Sequence, residues 1–216
     1  MKSVATSLQE QLHKGLTGEF LAQLHCKKMD DVLRRWCWVL LNPKPCEAPG
    51  ILGEFFAADR VAAIAHRTLA CAEEDLTEIT HRLSHEQMVH LVIEVLGNPN
   101  NRLGTYGTLS PGQMNHRFVK ALRGQWLTGT TYGRLQPHEW GNLYGFPAMV
   151  FDPFGRAIPI YVLESPDLPE GFESLDRFEG PEYQRVVLPI KLSDGTLCAA
   201  QVYVRSNSHS GQLRVR

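Results

Sequence analysis

The chain has 216 residues, of which 43% are hydrophobic and 21% charged, and its formal net charge at pH 7 is −1. This composition is typical of a globular protein and excludes a disordered chain, while a net charge so close to zero gives no electrostatic reason to expect nucleic acid as a partner. The longest apolar run, residues 36–41, is much shorter than the roughly 20 residues of a membrane-spanning helix, so we expect no membrane segment.

The five cysteines, at positions 26, 37, 46, 71 and 198, form no CxxC pair. Their odd number and irregular spacing fit neither a zinc ribbon nor a disulfide framework, and nothing in the sequence marks one of them as an activated nucleophile. Residues 1–9 are mixed polar and lack the apolar core of a secretory leader. We therefore expect reduced, mostly buried thiols in a cytoplasmic protein.

The first 98 residues are predicted to be helical. Leucines recur at helical spacing through residues 7–25, although Gly15 and Gly18 weaken that helix. Two aspartates, 30 and 31, mark the start of the next helix, and the prolines of residues 42–50 end it.

Two further helices complete this region. Residues 59–83 are Ala-rich and helical, with a bend or break near Glu73. Ser84 and Gln87 have the spacing of a capping box at the start of a helix that stops at Gly97. The sequence NPNN at 98–101 is the clearest boundary in the chain.

After this boundary the pattern changes to period two with turn residues, which predicts strands. The segment around Asp194-Gly195 indicates a hairpin, and one helix ending at Gly180 interrupts the strands. The prediction is an α+β domain at 102–206 with a closed or strongly curled sheet, followed by a frayed tail at 207–216. The strands are expected at about 103–107, 125–136, 147–151, 158–164, 183–192 and 196–205.

A metal site is not favoured by the histidines. His81 and His85 are four residues apart and could share a helical face, and His85-Glu86 followed by His90 approaches the HExxH motif. The second histidine of that pattern is one residue too late, and no third ligand is evident. Surface histidines are the favoured interpretation, and we expect no metal.

The segment YGTLSPGQMNH, residues 106–116, follows the first predicted strand. Backbone N–H groups in such a loop suit a carboxylate or a developing oxyanion. On spacing alone, a plain turn is the favoured explanation of Gly107, Pro111 and Gly112.

The segment LDRFEGPEYQR, residues 175–185, places three acids close together: Asp176, Glu179 and Glu182. Glu179 lies at the predicted helix end beside two aromatic residues, Phe178 and Tyr183, and loss of hydration there would raise its pKa toward the range useful for proton transfer. The alternative is a solvated helix end with Arg177 and Arg185 as surface partners.

Together these segments resemble the γ-glutamylcyclotransferase-like superfamily over residues 102–206. The shared motifs are YG[ST]L followed by Asn-His, Gly-x-Leu at 133–135 with Phe-Pro-Ala at 146–148, LD-x-[FY]-E-G at 175–180 with Tyr-x-Arg at 183–185, and the Ala-x-x-Tyr end of the last strand. Four motifs in the family order make the resemblance specific, particularly to the γ-glutamylamine cyclotransferase branch. Residues 1–98 resemble nothing in this family.

The resemblance implies a six-stranded, barrel-like α+β fold whose cavity holds a γ-glutamyl group. It implies that Glu179 is the general acid/base and that the 106–109 loop binds substrate through its main chain. The small-molecule partner is a γ-glutamyl amide, and no cofactor is implied. The substrate-binding residues implied by the motifs are Tyr106, Gly107, Thr108, Leu109, Asn115 and Tyr183.

The implied reaction is attack of the substrate's own α-amine on its γ-carbonyl, which releases an amine and forms 5-oxoproline. The nucleophile is intramolecular, so one carboxylate and an oxyanion site suffice. Three other hypotheses remain: a binding or regulatory protein that keeps the cavity, an interaction or homo-oligomerisation module centred on the N-terminal helices, and an amide hydrolase on the same scaffold.

Two departures from the family pattern are notable. Arg102 and Gly104 interrupt the first strand, which either alters how that strand is seated or indicates an edge position. Trp140 and Tyr144 give the segment before the third strand an aromatic character that would shape the mouth of the cavity.

Overall fold

A computed structural model describes residues 7–42, 50–71, 75–136 and 148–206. Its helices are α1 (Leu8–Lys14), α2 (Gly18–Gln23), α3 (Asp30–Leu41), α4 (Ile51–Phe55), α5 (Ala58–Leu69), α6 (Leu76–Ile79), α7 (His85–Val95) and α8 (Leu168–Glu179). Its strands are β1 (Arg102–Thr105), β2 (Gln125–Gln136), β3 (Ala148–Phe151), β4 (Arg156–Glu164), β5 (Tyr183–Leu192) and β6 (Leu197–Arg205). The predicted α+β fold, with a helical N-terminal region before six strands, is confirmed.

Capping side chains mark the starts of four of the helices, α1, α2, α6 and α7. Ser84 caps α7 through the predicted capping box with Gln87. The leucine-rich stretch at 7–25 forms two helices rather than one, because Gly15 takes a left-handed conformation (φ 97°) after α1 and Thr17 caps α2. The predicted break in residues 59–83 is present, since α5 ends at Leu69 and α6 begins at Leu76.

The six strands form a closed barrel of five strands with one extra strand. Their order is β3-β2-β4-β1-β6-β5, and β2 also pairs with β5, which closes the ring and leaves β3 outside it. The closing contact is short, pairing Gly129 with Leu192 and Thr130 with Lys191. The β1–β6 pair is parallel, and the other pairings are antiparallel.

The first strand lies at the centre of the sheet, between β4 and β6, so of the two alternatives for Arg102 and Gly104 the edge position is wrong. Gly104 is required there by close packing: a Cβ at this position would lie 2.8 Å from both Ile160 Cδ1 and Val202 Cγ2. The charge of Arg102 is accommodated because its Nη2 pairs with Glu164 Oε1 at 2.6 Å.

Three hydrophobic clusters stabilise the fold. The barrel interior is filled by alternate side chains of its strands, such as Ile160, Ile190 and Val202. A second cluster packs α8 against the outer face of β1, β4 and β6 through Phe172, Leu175 and their neighbours. The third cluster is formed by the N-terminal helices together with Val187 of β5 and Ala199 of β6.

The N-terminal helices are therefore joined to the barrel by packing and by main-chain hydrogen bonds. The N–H of Val187 donates to the carbonyl of Leu16, and that of Ala199 donates to Leu96, at 2.7 and 2.8 Å. The guanidinium of Arg60 donates to carbonyls of α4, α7 and β6, namely those of Phe55, Val95 and Leu197. The division into units at 1–98 and 102–206 remains a prediction, and the two share one hydrophobic cluster.

None of the helices in these four ranges is long and apolar enough to cross a membrane.

We predict that Gly104→Ala destabilises the protein, because the new methyl group would overlap two interior side chains in the central strand. The expected loss in the free energy of unfolding is about 1–3 kcal/mol, measured by urea denaturation. Gly171→Ala in α8 is the matched control: its Cβ would lie 3.7 Å from Leu122, an ordinary contact, so it should stabilise the helix by roughly 0.5–1 kcal/mol. Equal effects of the two substitutions would contradict the packing argument.

Candidate active site

The two polar segments singled out in the sequence meet at one end of the barrel. The loop that follows β1, the last residue of α8, the start of β5 and the end of β6 surround a cavity of about 90 Å³. The cavity is lined by Gly104, Thr105, Tyr106, Gly107, Thr108, Leu109, Glu179, Tyr183 and Tyr203.

The loop at 106–109 is held by contacts that leave part of its backbone available. Asn115 Nδ2 donates to Thr108 Oγ1 at 3.1 Å, and the N–H of Asn115 donates to the carbonyl of Thr108 at 3.0 Å. Within the described residues, the N–H groups of Gly107, Thr108 and Leu109 donate to no protein acceptor. Three consecutive unpaired N–H groups beside a cavity form a donor set suited to an anion or oxyanion.

Asn115 itself does not line the cavity. Its contacts are with the loop, so the structure places it behind the loop rather than against a ligand.

Tyr106 lines the cavity, but its hydroxyl is already engaged. It donates to the carbonyl of Tyr203 and accepts from the N–H of Met149, both at 3.0 Å. Burial raises the pKa of this phenol above its ordinary value, and the hydrogen bond from Met149 only partly opposes that shift. Tyr106 therefore ties the end of β1 to β6 and β3 and contributes its ring to the cavity wall.

Glu179 is the titratable group of the cavity with a pKa near neutrality. It is the last residue of α8, and burial raises its pKa from 4.5 to about 7. Its position at a helix C-terminus acts in the same direction, because the carbonyl end of the helix dipole disfavours negative charge. Among the described residues no group donates a hydrogen bond to its carboxylate, so nothing opposes these effects.

The pKa of Asp176, one turn earlier on the same helix, is shifted in the opposite direction. Burial raises its pKa, but hydrogen bonds from Arg185 and from Tyr203 outweigh burial and hold the pKa below its usual range. Of the three neighbouring acids, Asp176 is thus ionised and paired, Glu182 is exposed, and Glu179 faces the cavity. Such divergent environments separate a structural carboxylate from one able to exchange protons.

Some sequence-based expectations need correction. Phe178 does not line the cavity; its ring packs on Phe118, with centroids 4.1 Å apart, so the expected contribution of this ring to the Glu179 environment is not seen. Arg185 is not a mere surface partner, since its side chain is 16% exposed. Trp140 and Tyr144 lie outside the described residues.

The structure also contradicts the alternative in which His81 and His85 share one helical face. His81 belongs to a 3₁₀ turn (Thr80–Arg82) and packs on Trp38, whereas His85 begins α7 and contacts Asp30, so the two do not share a helix face. Within the four described ranges, no group of three or more His, Cys, Asp or Glu side chains has a geometry that could hold a metal ion.

Sequence reasoning missed Tyr203 as a cavity residue. The only signal was the Ala-x-x-Tyr ending of β6, and period-two alternation does not reveal which outward-facing side chain lies under α8.

Comparisons with known proteins give one family match and several structural likenesses. Residues 104–215, just over half of the chain, match the family described as gamma-glutamyl cyclotransferase, AIG2-like. No curated protein sequence matches the chain. Solved structures similar to it include the YkqA protein of Bacillus subtilis (23% identity over 49% of this chain and 36% of that chain, TM-score 0.39) and an AIG2-like protein of Mus musculus (20% identity, 54% and 84%, TM-score 0.40).

A third similar structure is the At5g39720.1 protein of Arabidopsis thaliana (22% identity, 54% and 75%, TM-score 0.38). The chain spans about a third of the length of the Bacillus protein. At these identities and scores the structural likenesses carry no functional argument.

We predict that Glu179→Gln stabilises the protein at alkaline pH. The unfolded carboxyl titrates near 4.5 and the folded one near 7, so the native state binds this proton more tightly and wild-type stability falls as the pH rises from 4.5 through 7. The cost above pH 7 is on the order of 3 kcal/mol at most, and glutamine does not incur it. Melting temperatures should therefore differ little at pH 4 and favour Glu179→Gln at pH 8; a difference independent of pH would contradict the shifted pKa.

Proposed function

The chain belongs to the gamma-glutamyl cyclotransferase, AIG2-like family, and on that premise we propose that it cleaves γ-glutamyl amides with formation of 5-oxoproline. The observation that carries the proposal is that one small cavity is lined both by a carboxylate with a pKa near 7 and by a loop whose backbone N–H groups, like that carboxylate, have no hydrogen-bond partner among the described residues. Glu179 is the proposed acid–base group, and Gly107 to Leu109 are the proposed oxyanion donors.

The proposed reaction begins with transfer of a proton from the substrate's α-ammonium to the Glu179 carboxylate. The freed amine attacks the γ-carbonyl, and the tetrahedral oxyanion accepts hydrogen bonds from the 107–109 backbone. Glu179 then returns its proton to the leaving nitrogen, and the C–N bond breaks. The second proton of the former α-ammonium, which the ring nitrogen still carries after the attack, passes through the same carboxylate to the departing amine, so that a neutral lactam and an ammonium ion are released. One carboxylate with a pKa near the working pH serves both steps, since it is readily ionised and readily protonated.

The size of the cavity favours a small reacting group. Its volume of about 90 Å³ is well below the roughly 300–1,000 Å³ of pockets that enclose drug-sized ligands. We infer that it takes the γ-glutamyl portion alone and that the leaving amine lies outside it, toward the surface. Tyr183 and Tyr203 also line the cavity and would limit how the glutamyl chain is oriented.

We predict that Glu179→Gln lowers turnover of γ-glutamyl substrates by about 10²–10⁴-fold, because the isosteric amide cannot exchange the proton. The measurement is incubation with a panel of γ-glutamyl amines and dipeptides, with 5-oxoproline detected by mass spectrometry. Glu173→Gln is the control on the same helix: within the described residues, the exposed Glu173 pairs with Arg177 and not with any cavity residue, so its change should leave the rate unaltered.

The same assay separates the alternatives. Release of glutamate instead of 5-oxoproline would indicate a hydrolase. Binding of 5-oxoproline without turnover of any panel member would indicate a binding protein that keeps the cavity. Retention of most activity by a folded Glu179→Gln variant would overturn the assigned role of this residue.

We further predict that Asn115→Ala lowers kcat by roughly 5–20-fold, since loss of one loop hydrogen bond loosens the donor backbone by about 1–2 kcal/mol. Thr108→Val removes the acceptor of the same bond, so the double variant should be little worse than either single one. Gln113→Ala changes an exposed side chain of the same loop and serves as the control. Additive losses in the double variant would show that the two residues act separately.

A further inference from the structure

The last turn of α8, which carries Glu179, is clamped to the barrel through Asp176. Arg185 donates to both oxygens of this carboxylate, from Nε at 2.7 Å and from Nη2 at 2.9 Å, and the hydroxyl of Tyr203 donates to Oδ1 at 2.7 Å. A bidentate arginine–carboxylate pair of this kind fixes the relative orientation of the two groups as well as the distance between them. Because Glu179 lies three residues beyond Asp176, this clamp acts on the segment that faces the cavity.

Arg185 is in turn held on several sides. Its guanidinium lies 4.1 Å from the centre of the Phe172 ring, and its Nη1 donates to Gln201 Oε1. The amide of Gln201 donates onward to the carbonyl of Pro99, at 3.4 Å. With 16% of its side chain exposed, Arg185 has little freedom to reorient without disturbing these partners.

The N-terminal region packs against a further side of Arg185. Thr17 forms a β-bridge with Val186, the residue after Arg185, and caps α2. The next residue, Gly18, is buried directly against the clamp: a Cβ at this position would overlap the guanidinium of Arg185 and the amide oxygen of Gln201. The absence of a side chain at Gly18 therefore permits the clamp to have its observed geometry.

We propose that the N-terminal helical region is a positioning element of the active site: Gly18, at the start of α2, seats Arg185, and Arg185 sets the position of Glu179 through Asp176. The proposal rests on the proposed function in that Glu179 is taken as the acid–base group. It assigns a role in catalysis to a segment outside the residues matched by the family. Gly18 and Arg185 are positioning residues, since neither is part of the proposed proton transfer.

Displacement of the clamp should be visible in the titration of Glu179. If the end of α8 moves away from the barrel, the carboxylate gains water and its pKa falls from about 7 toward 4.5. A change that only lowers stability leaves this titration in place. The titratable groups that interact electrostatically with Glu179 include Tyr106, Tyr183 and Tyr203. The charged groups on the elements around it include Asp176, Arg177, Glu182, Arg185 and Arg205.

The test uses two variants of the full chain that conserve every charge, Gly18→Ala and Arg185→Lys. The methyl group that Gly18→Ala adds would displace the Arg185 guanidinium. Arg185→Lys keeps the positive charge but cannot make the bidentate contact with Asp176. In both, kcat for 5-oxoproline formation should fall at least tenfold, KM should change less than about threefold, and the rising limb of kcat/KM should move from about pH 7 to lower pH. Gly171→Ala, a glycine-to-alanine change with room for the methyl group, should match wild type.

Unchanged kcat and an unchanged rising limb in both variants would overturn the proposal, even if their melting temperatures fall. If wild type forms no 5-oxoproline from any substrate in the panel, the proposed function fails instead. The positioning role of Gly18 is then tested by ¹³C NMR titration of the Glu179 carboxyl. A lower Glu179 pKa in Gly18→Ala than in wild type supports this role, and an equal pKa overturns it. Arg185→Lys provides the same readout if Gly18→Ala does not fold.

Discussion

Closure of the barrel depends on one short contact, the pairing of β2 with β5 at Gly129 and Thr130. The strands approach closely there, and a Cβ at Gly129 would lie 2.8 Å from the carbonyl oxygen of Lys191. Once the ring is closed, apolar side chains fill its interior. The apolar side chains on the outward faces of its strands must then be buried by other elements. The positions of all other elements follow from how those outward faces are buried.

Two groups of helices bury these outward faces, the N-terminal helices and α8. The candidate active site lies at the end of α8. The N-terminal helices bury the outer face of β5 and β6, and α8 buries that of β1 and β4. Because α8 ends beside the loop that leaves β1, its last residue, Glu179, is brought to the donor backbone. Packing thus places the carboxylate, and the same packing removes the water that would otherwise keep its pKa low.

The two carboxylates of α8 show how one helix supplies both structure and chemistry. Asp176 is ionised and saturated by Arg185 and Tyr203, and it anchors the helix. Glu179 has no such donors among the described residues and is destabilised in its charged form. An unfavourable, unpaired group next to a well-paired one is typical of functional sites, where local stability is given up for reactivity.

The sequence by itself determined the element types, the change from helices to strands near residues 98–101 and the two segments that face the cavity, because these depend on local patterns: periodicity, capping residues, glycines and family motifs. Only the tertiary structure decided that β1 is central, that Phe178 does not line the cavity while Tyr203 does, and that the partly buried Arg185 packs against Gly18. These are contacts between residues far apart in the chain, such as Gly18 with Arg185 and Asp176 with Tyr203. No local pattern encodes them, since each depends on which faces the closed barrel leaves to be covered.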